Sequence, residues 1–437
     1  MEPRPTTVPQ AKQVGDASGP QAWAEPSVWT ERMLTALELG VKGGVWYSLI
    51  DKVFSPANLT AATAKVVANK GAAGVDHVSV EQFCRDADEN LRKLGEQLRQ
   101  GAYRPQAIRR VYIPKPGSTE KRPLGIPTVR DRVVQTAIVH VLQPIFERDF
   151  APTSYGFRPQ RGARQALDRV EELLKAGYRY VVDADLKSYF DTIPHERLLQ
   201  RVGEKVADGR LLGLIESFLK AGILEDLREW VPTAGAPQGA VLSPLLSNIY
   251  LDPLDHLMAQ AGVEMVRYAD DFVILCRTKA EAEKALEQVR TWVEANGLTL
   301  HPDKTRIVDS LTDYFDFLGY RFDRDKRLVR PKSLARLKEA VRAKTKRTNG
   351  HSLKAIISNL NRTLVGWFGY FKRCWHTVLS GLDGWIRRRL RSMLRKRKKL
   401  KGMSRHGADE RRWPNSFFAE AGLFSLKTAH AQHVNPL

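Results

Sequence analysis

Cysteine is nearly absent: Cys84, Cys276 and Cys374 are scattered through 437 residues. Neither a disulfide framework nor a paired C-x-x-C zinc set can be built from them, and a reducing compartment fits best. Long apolar runs are missing too. No stretch approaches the roughly 18 to 20 uninterrupted apolar residues of a membrane span, so no membrane partner is expected. Residues 1–26, rich in Pro, Gly, Ala and Gln, lack a basic-then-apolar leader. The expectation is a cytoplasmic protein with a disordered N-terminal tail over residues 1–28.

The third scarcity is local. Residues 331–412 hold 4 acidic residues against 24 basic ones, a net charge of +20, whereas residues 1–330 hold 44 against 45, net +1. The whole chain stands at +21, so nearly all of the excess sits in one segment. A composition of 43% hydrophobic and 27% charged residues is ordinary for a globular protein and excludes a mainly disordered or fibrous one. A near-neutral body joined to a strongly basic appendage implies two jobs, one of them holding a polyanion.

Apolar spacing predicts a helical lead-in over residues 31–67, broken at Ser55-Pro56, and helices over 80–100, 131–150, 163–176, 209–223, 244–260, 278–296, 334–346, 353–378 and 382–399. A β-rich arm from Ile108 to Ile113, a Lys-Pro-Gly-Ser-Thr turn and a return arm from Lys121 read as a basic hairpin. Further strands are expected at 178–186, 304–310 and 315–322, with a tight hairpin over 264–277 turning at Ala269, Asp270 and Asp271. No repeat of fixed period is visible.

The strongest chemical signal is Tyr268-Ala269-Asp270-Asp271 between two apolar arms. Adjacent carboxylates between buried strands repel each other, and a divalent cation relieves that cost. An exposed Asp-Asp turn is the plainer alternative, since Asp favours turns. A second acidic set tips the balance: a strand over Tyr180–Asp185 brings Asp183 and Asp185 to one face at period 2, and Asp191 follows an aromatic pair. One carboxylate from each of two neighbouring strands is the minimum for two metal ions that assist in-line phosphoryl transfer.

In this order the segments NKGAAGVD, VYIPKPGSTEKRPLGIPTVRDRVVQ, SYGFRP, DADLKSYFD, APQGAVLSPLLSNIYL, YADD, GLTLHPDKT and FDFLGY resemble the group II intron reverse transcriptase/maturases. The resemblance runs from about Asn69 to the C-terminus. It implies an α+β fold: a right-hand polymerase with fingers and an antiparallel palm, followed by an all-α basic thumb, the maturase domain X. The implied divisions are an N-terminal extension and fingers over 29–179, a palm over 180–330, a thumb over 331–412 and a tail over 413–437.

By the same resemblance, Asp185, Asp270 and Asp271 are the catalytic residues and the ligands of two Mg²⁺ ions. Asp185 is preferred to Asp183, whose contribution stays open, because Phe190 then falls five residues on, where an aromatic ring would exclude a ribose 2′-OH. Tyr189 is the alternative gate, and both rings packing in the core is the plain one. Lys115, Arg122, Phe190, Gln238 and Lys304 would contact the incoming dNTP. The RNA-binding candidates are Lys70, Arg158, Lys372, Arg373, Arg387, Arg388, Arg389, Arg395 and Lys396.

In the basic appendage charge alternates with rings such as Trp367, Phe368, Phe371 and Trp385. The rings either stack on unpaired bases or pack the helices together. The implied activity is RNA-directed DNA synthesis together with help in splicing and mobility of a host intron. The implied partners are group II intron RNA, an RNA template with a DNA primer, dNTPs and a DNA target; a homodimer is left open, and the location would be nucleoid-associated in a bacterium. No zinc-type HNH endonuclease pattern is present before Leu437, so no second-strand cleavage is expected of this polypeptide. Another bacterial reverse transcriptase (retron, diversity-generating or CRISPR-associated) and a non-catalytic RNA-binding splicing factor are the competing readings. Deletion after about residue 330 is expected to remove RNA affinity and leave the metal site folded.

Overall fold

The computed structural model describes residues 23–114, 121–225, 228–324, 326–400 and 407–434. In chain order the helices and strands are α1 (Glu31–Leu39), α2 (Ile50–Val53), α3 (Pro56–Asn69), α4 (Val80–Arg85), α5 (Ala87–Gln100), β1 (Ile108–Pro114), β2 (Lys121–Ile126), α6 (Val129–Glu147), α7 (Ala163–Lys175), β3 (Tyr180–Asp185), α8 (Tyr189–Thr192), α9 (His195–Gly203), α10 (Gly209–Leu219), β4 (Ile223–Glu225), β5 (Arg228–Trp230), α11 (Ser243–Gln260), β6 (Glu264–Tyr268), β7 (Asp271–Cys276), α12 (Lys279–Ala295), β8 (Arg306–Asp309), β9 (Tyr314–Phe317), β10 (Tyr320–Asp323) and β11 (Lys326–Val329). Among the described residues six further helices follow: α13 (Pro331–Lys344), α14 (Leu353–Phe371), α15 (His376–Arg397), α16 (Ala408–Arg412), α17 (Asn415–Glu420) and α18 (Leu426–Val434).

Local chemistry explains several boundaries. The Ser55 hydroxyl accepts from the Asn58 amide and Pro56 occupies the first turn of α3, so that helix starts there rather than continuing from α1. Thr278 and Glu281 form a reciprocal capping box at the start of α12. The expected helix over 80–100 is two, broken at Asp86. The expected strand over 315–322 is likewise two, because Leu318 and Gly319 both have positive φ and make a two-residue hairpin turn. The break in the basic segment comes after Phe371 rather than beyond Val378.

Among the described residues, three sheets organise the body. The central one has the order β6-β7-β3-β8 with antiparallel pairing throughout. A second, β2-β1-β4-β5, is antiparallel except for the parallel β1–β4 pair. It draws β4 and β5 from residues 223–230, so this sheet crosses the boundary expected at 179/180. The third sheet, β11-β10-β9, leads into the helical C-terminal segment.

The period-2 alternation of the central sheet feeds two cores. Val182, Ala184, Phe272 and Ile274 face one, built with α6, α9, α11 and α12; Val181, Val273 and Leu275 face the other, which takes in α7, β9, β10 and the C-terminal helices through Leu337, Leu360, Leu364, Leu379 and Ile386. The basic segment is therefore packed into the core of the body. A chain cut after residue 330 would expose that second core, which corrects the expectation that the metal site would stay folded on its own.

Both expected tails also need correction. Ala24 and Val28 are buried, and the Trp29 indole donates to the His140 carbonyl at 2.9 Å; residues 1–22 of the expected tail lie outside the described residues. At the other end Trp413, Phe418 and Leu426 are buried, and Asp383 accepts from the amides of Leu426 and Lys427. Among the described residues, no helix is long and apolar enough to cross a membrane.

Candidate active site

Strands β3 and β7 pair in a register that sets Asp185 directly opposite Asp271. Asp183 lies two residues back on the same face of β3, and Asp270 sits in the turn between β6 and β7. That turn has Ala269 at φ 59, a conformation that suits Gly and costs an L-residue about 1–2 kcal/mol. Its surroundings hold it in place. Arg267, fully buried, donates from Nε to Asp255 at 2.8 Å, and from Nη1 to Asn248 Oδ1 and to the Ala269 carbonyl, both at 2.9 Å. On the other side, Gly156 approaches so closely that a Cβ there would lie 2.3 Å from the Ala269 nitrogen. This explains the glycine of the SYGFRP segment, whose Tyr155 amide donates to the Arg267 carbonyl.

Burial and mutual repulsion dominate the electrostatics of the acidic cluster. Burial, and then repulsion from Asp270, Asp183 and Asp185, pushes Asp271 up to about 7. Burial is also the main cause at Asp183, raised to about 6 with Arg306 opposing and Asp316 and Asp185 adding. Asp270 is raised by burial and by Asp185, while Arg122 and Arg267 act in the opposite sense. The Lys304 ammonium lies 2.6 Å from Asp185 Oδ2. The chemistry of this donor set fits a divalent cation. As the side chains stand, however, no three acidic, histidine or cysteine groups converge on one point among the described residues; Asp185 is turned to Lys304.

The dNTP candidates divide. Arg122, exposed at the start of β2, is close enough to act on Asp270, and Lys304 reaches Asp185 directly. Phe190 and Gln238 line one cavity of about 320 Å³, shared with Arg110, Asp191 and Trp230. The Gln238 carbonyl accepts from the Gly125 amide at 2.6 Å. Gly239, at φ 105, lets the Pro-Gln-Gly turn approach β2 closely. Tyr189 is only 2% exposed and its hydroxyl donates to the Ser247 carbonyl, so it is a core residue and no gate. Lys115 lies outside the described residues.

The RNA candidates divide as well. Arg158 is a correction: its side chain is 3% exposed, ion-paired to Glu147 at 2.7 Å and bonded to the Ala151 and Ser154 carbonyls. It holds the loop between α6 and α7 and presents no cationic surface. Arg395 pairs with Asp409 in a half-buried contact, Arg373 pairs with Asp168, and Arg389 donates to Thr345 at the end of α13. Lys70, Arg388 and Lys396 are exposed, and Lys372 and Arg387 partly so. The rings mostly pack: Trp367 lies 4.8 Å from Phe371 and Phe368 meets Phe424 edge-on. Among the residues missed, Arg267, Asp255 and Asn248 left one readable signal, a basic residue two positions before Ala269 within an apolar strand.

Comparison with known proteins gives this arrangement its class. Residues 113–322 match the family described as reverse transcriptase (RNA-dependent DNA polymerase), and residues 334–413 match the group II intron, maturase-specific domain. The second match falls on the basic helical segment. The chain is 35% identical over 317 residues to protein YkfC of Escherichia coli K12, covering 63% of this chain and 83% of that protein. It is 38% identical over 228 residues to the group II intron-encoded protein LtrA of Lactococcus lactis subsp. cremoris, where the match covers 50% of this chain and 37% of LtrA. A solved chain of a Cas6-RT-Cas1–Cas2 complex aligns over 56% of this chain and 42% of its own length, with 25% identity and a TM-score of 0.37. The chain belongs to the group II intron-encoded reverse transcriptase/maturases.

Proposed function

We propose that this protein copies RNA into DNA at the Asp185–Asp270–Asp271 cluster and that its basic helical segment grips the host intron RNA, assisting splicing and mobility. In this reading the body is a right-hand polymerase, with β1 and β2 in the fingers and the central sheet as the palm. The observation that carries it is the register of Asp185 against Asp271, with Asp270 fixed beside them in a turn held by Arg267 and Gly156.

Asp185 and Asp270 would hold two Mg²⁺ ions with Asp271 beside them, which requires Asp185 to leave Lys304. When bound, the ions supply Lewis-acid activation of the primer 3′-OH and neutralise charge on the triphosphate. The protein's own groups orient the reactants. Arg122, with Lys115, grips the β and γ phosphates; Lys304, released from Asp185, adds a cation at the same edge. Phe190 fills the space a 2′-OH would need, and Gln238 lines the same cavity as a contact for the nucleotide.

The test is primer extension on an RNA template with dNTPs and Mg²⁺. Asp270→Ala should abolish synthesis, a loss of about 10³-fold or more for a group that helps to supply several kcal/mol of charge stabilisation, while RNA binding persists. Normal extension by Asp270→Ala would overturn the assignment of the site.

A further inference from the structure

The SYGFRP segment supplies the site with a glycine and a buried arginine, and it also presents a ring outward. Gly156 and Arg158 are buried, whereas Phe157 between them is 49% exposed. Its backbone stands at φ 58, in the left-handed region, where a bulky residue is an outlier that persists only if its surroundings over-determine it. They do. The Arg158 guanidinium donates to the Ala151 and Ser154 carbonyls at 2.6 and 2.9 Å, Arg161 donates to the Pro152 carbonyl at 2.6 Å, and Asn248 Nδ2 donates to the Gly156 carbonyl at 2.8 Å. Anchors on both sides thus hold a strained residue with its apolar ring at the surface, which core packing does not explain.

The same loop extends the central sheet. The Arg267 amide donates to the Thr153 carbonyl at 3.0 Å and the Tyr155 amide to the Arg267 carbonyl at 2.8 Å, so residues 153–155 run parallel to β6, at the edge opposite β8. Phe157 then meets Tyr268, with ring centroids 6.3 Å apart and planes tilted by 43°. Tyr268 stands directly opposite Asp271 in the β6–β7 register, and Gly156 abuts Ala269, the residue before Asp270. Period 2 puts Tyr268 on the face of Val266, Asp271 on that of Val273, and Asp185 on that of Val181, which is one and the same face. The aromatic pair therefore flanks the acidic cluster from its β6 side. Lys304 and Phe190, candidates for the incoming nucleotide, lie on the other side, before β8 and after β3.

We propose that Phe157 is a binding residue for the primer: its ring, backed by Tyr268, packs on the terminal nucleotides of the primer and brings the 3′-OH to Asp185 and Asp270. Synthesis needs that end of the primer at the acidic cluster, the β3–β8 side is given to the incoming nucleotide, and an apolar ring suits a nucleotide face of any sequence. The inference rests on the reading of the cluster as a polymerase site.

The probe is a DNA primer annealed to an RNA template, bound to the full chain. Phe157→Asn removes the ring and leaves a residue that accepts the left-handed region; Phe157→Tyr keeps a ring. Losing one stacked ring weakens binding by about 5- to 150-fold, so Phe157→Asn should lower primer–template affinity about tenfold, while Phe157→Tyr, and the binding of unprimed template by either variant, should change by less than about twofold. A primer with 5-iodouracil at its 3′ end, irradiated on the wild-type chain, should crosslink to Phe157, as located by peptide mapping. Wild-type primer–template affinity in Phe157→Asn would overturn the proposal, and so would equal losses with and without primer, or an adduct that maps elsewhere. Should Phe157→Asn not fold, the crosslink on the wild-type chain decides. Asp270→Ala separates the layers: if it still synthesises DNA, the reading of the site fails, whereas an inactive Asp270→Ala beside wild-type affinity in Phe157→Asn sinks only the role of Phe157.

Discussion

The two regions of this molecule handle charge in opposite ways. In the body, two arginines are committed internally, Arg267 and Arg158 being buried against Asp255 and Glu147, and four carboxylates, Asp183, Asp185, Asp270 and Asp271, gather at one site. In the helical segment 24 basic residues face 4 acidic ones, and the few acids, such as Asp409 and Asp383, are committed to tying helices together. Buried charge in the body therefore sets geometry, while in the helical segment Arg388 and Lys396 stay exposed, where the proposed function puts a polyanion. The +21 total is thus almost wholly a property of the helical segment.

The largest effect expected from this contrast is on salt dependence. Neutralising even 6 to 10 phosphates would lower RNA affinity by roughly 10³- to 10⁵-fold between 50 and 200 mM salt. Filter binding or anisotropy across that range checks it, and a flat response would break the comparison on the side of the helical segment. Next comes the buried cation of the body. Arg158→Met leaves Glu147 buried without its partner and should destabilise the fold by about 3–5 kcal/mol, measured by denaturant unfolding. A variant that folds normally but loses RNA affinity would return Arg158 to the RNA-binding set.

A smaller effect concerns sugar selection. Phe190→Val should relax discrimination against ribonucleotides by about 10- to 200-fold, read as the ratio of kcat/KM for dNTP and NTP. Unchanged discrimination would remove Phe190 from the gate, and Tyr189 is too buried to replace it. The smallest effect sharpens the body side. Asp183 and Asp271 have raised pKa values of about 6 and 7, so each holds its proton more tightly when folded than when unfolded. Their ionisation therefore costs stability as pH rises through that window, and a cation competes with those protons. Mg²⁺ should raise Tm by about 2–4 °C for each kcal/mol it contributes, more at pH 8 than at pH 5.5. A shift of equal size at both values would place the bound ion elsewhere.

Much of the site is legible in the sequence because its signals are local. Asp183 and Asp185 alternate at period 2 on a short strand, and Asp270-Asp271 stand between apolar arms that can only be a hairpin. What stays hidden depends on partners far away in sequence. Nothing near Arg158 distinguishes a cation bound to RNA from one bound to Glu147 on the preceding helix. The C-terminal helices carry an apolar stripe under their charges, but its target, Val181, Val273 and Leu275, is an unmarked strand face more than fifty residues away. The Leu318 turn is hidden for another reason: the two-residue hairpin needs positive φ at a leucine, against its local preference, and the Tyr370 hydroxyl that bonds its carbonyl comes from far along the chain. The short arms Tyr314–Phe317 and Tyr320–Asp323 about Leu-Gly are the one signal that could have disclosed the hairpin.

The most direct test of the division between an acidic polymerase site and a cationic RNA grip is to measure RNA affinity and primer-extension rate at saturating RNA on two full-length variants side by side. Asp270→Ala should lose synthesis and keep RNA affinity. The combined Arg387→Gln, Arg388→Gln, Lys396→Gln variant should lose RNA affinity and recover most of its synthesis once RNA is saturating. If both properties fall together in each variant, the two regions do not divide the work, and this account is contradicted.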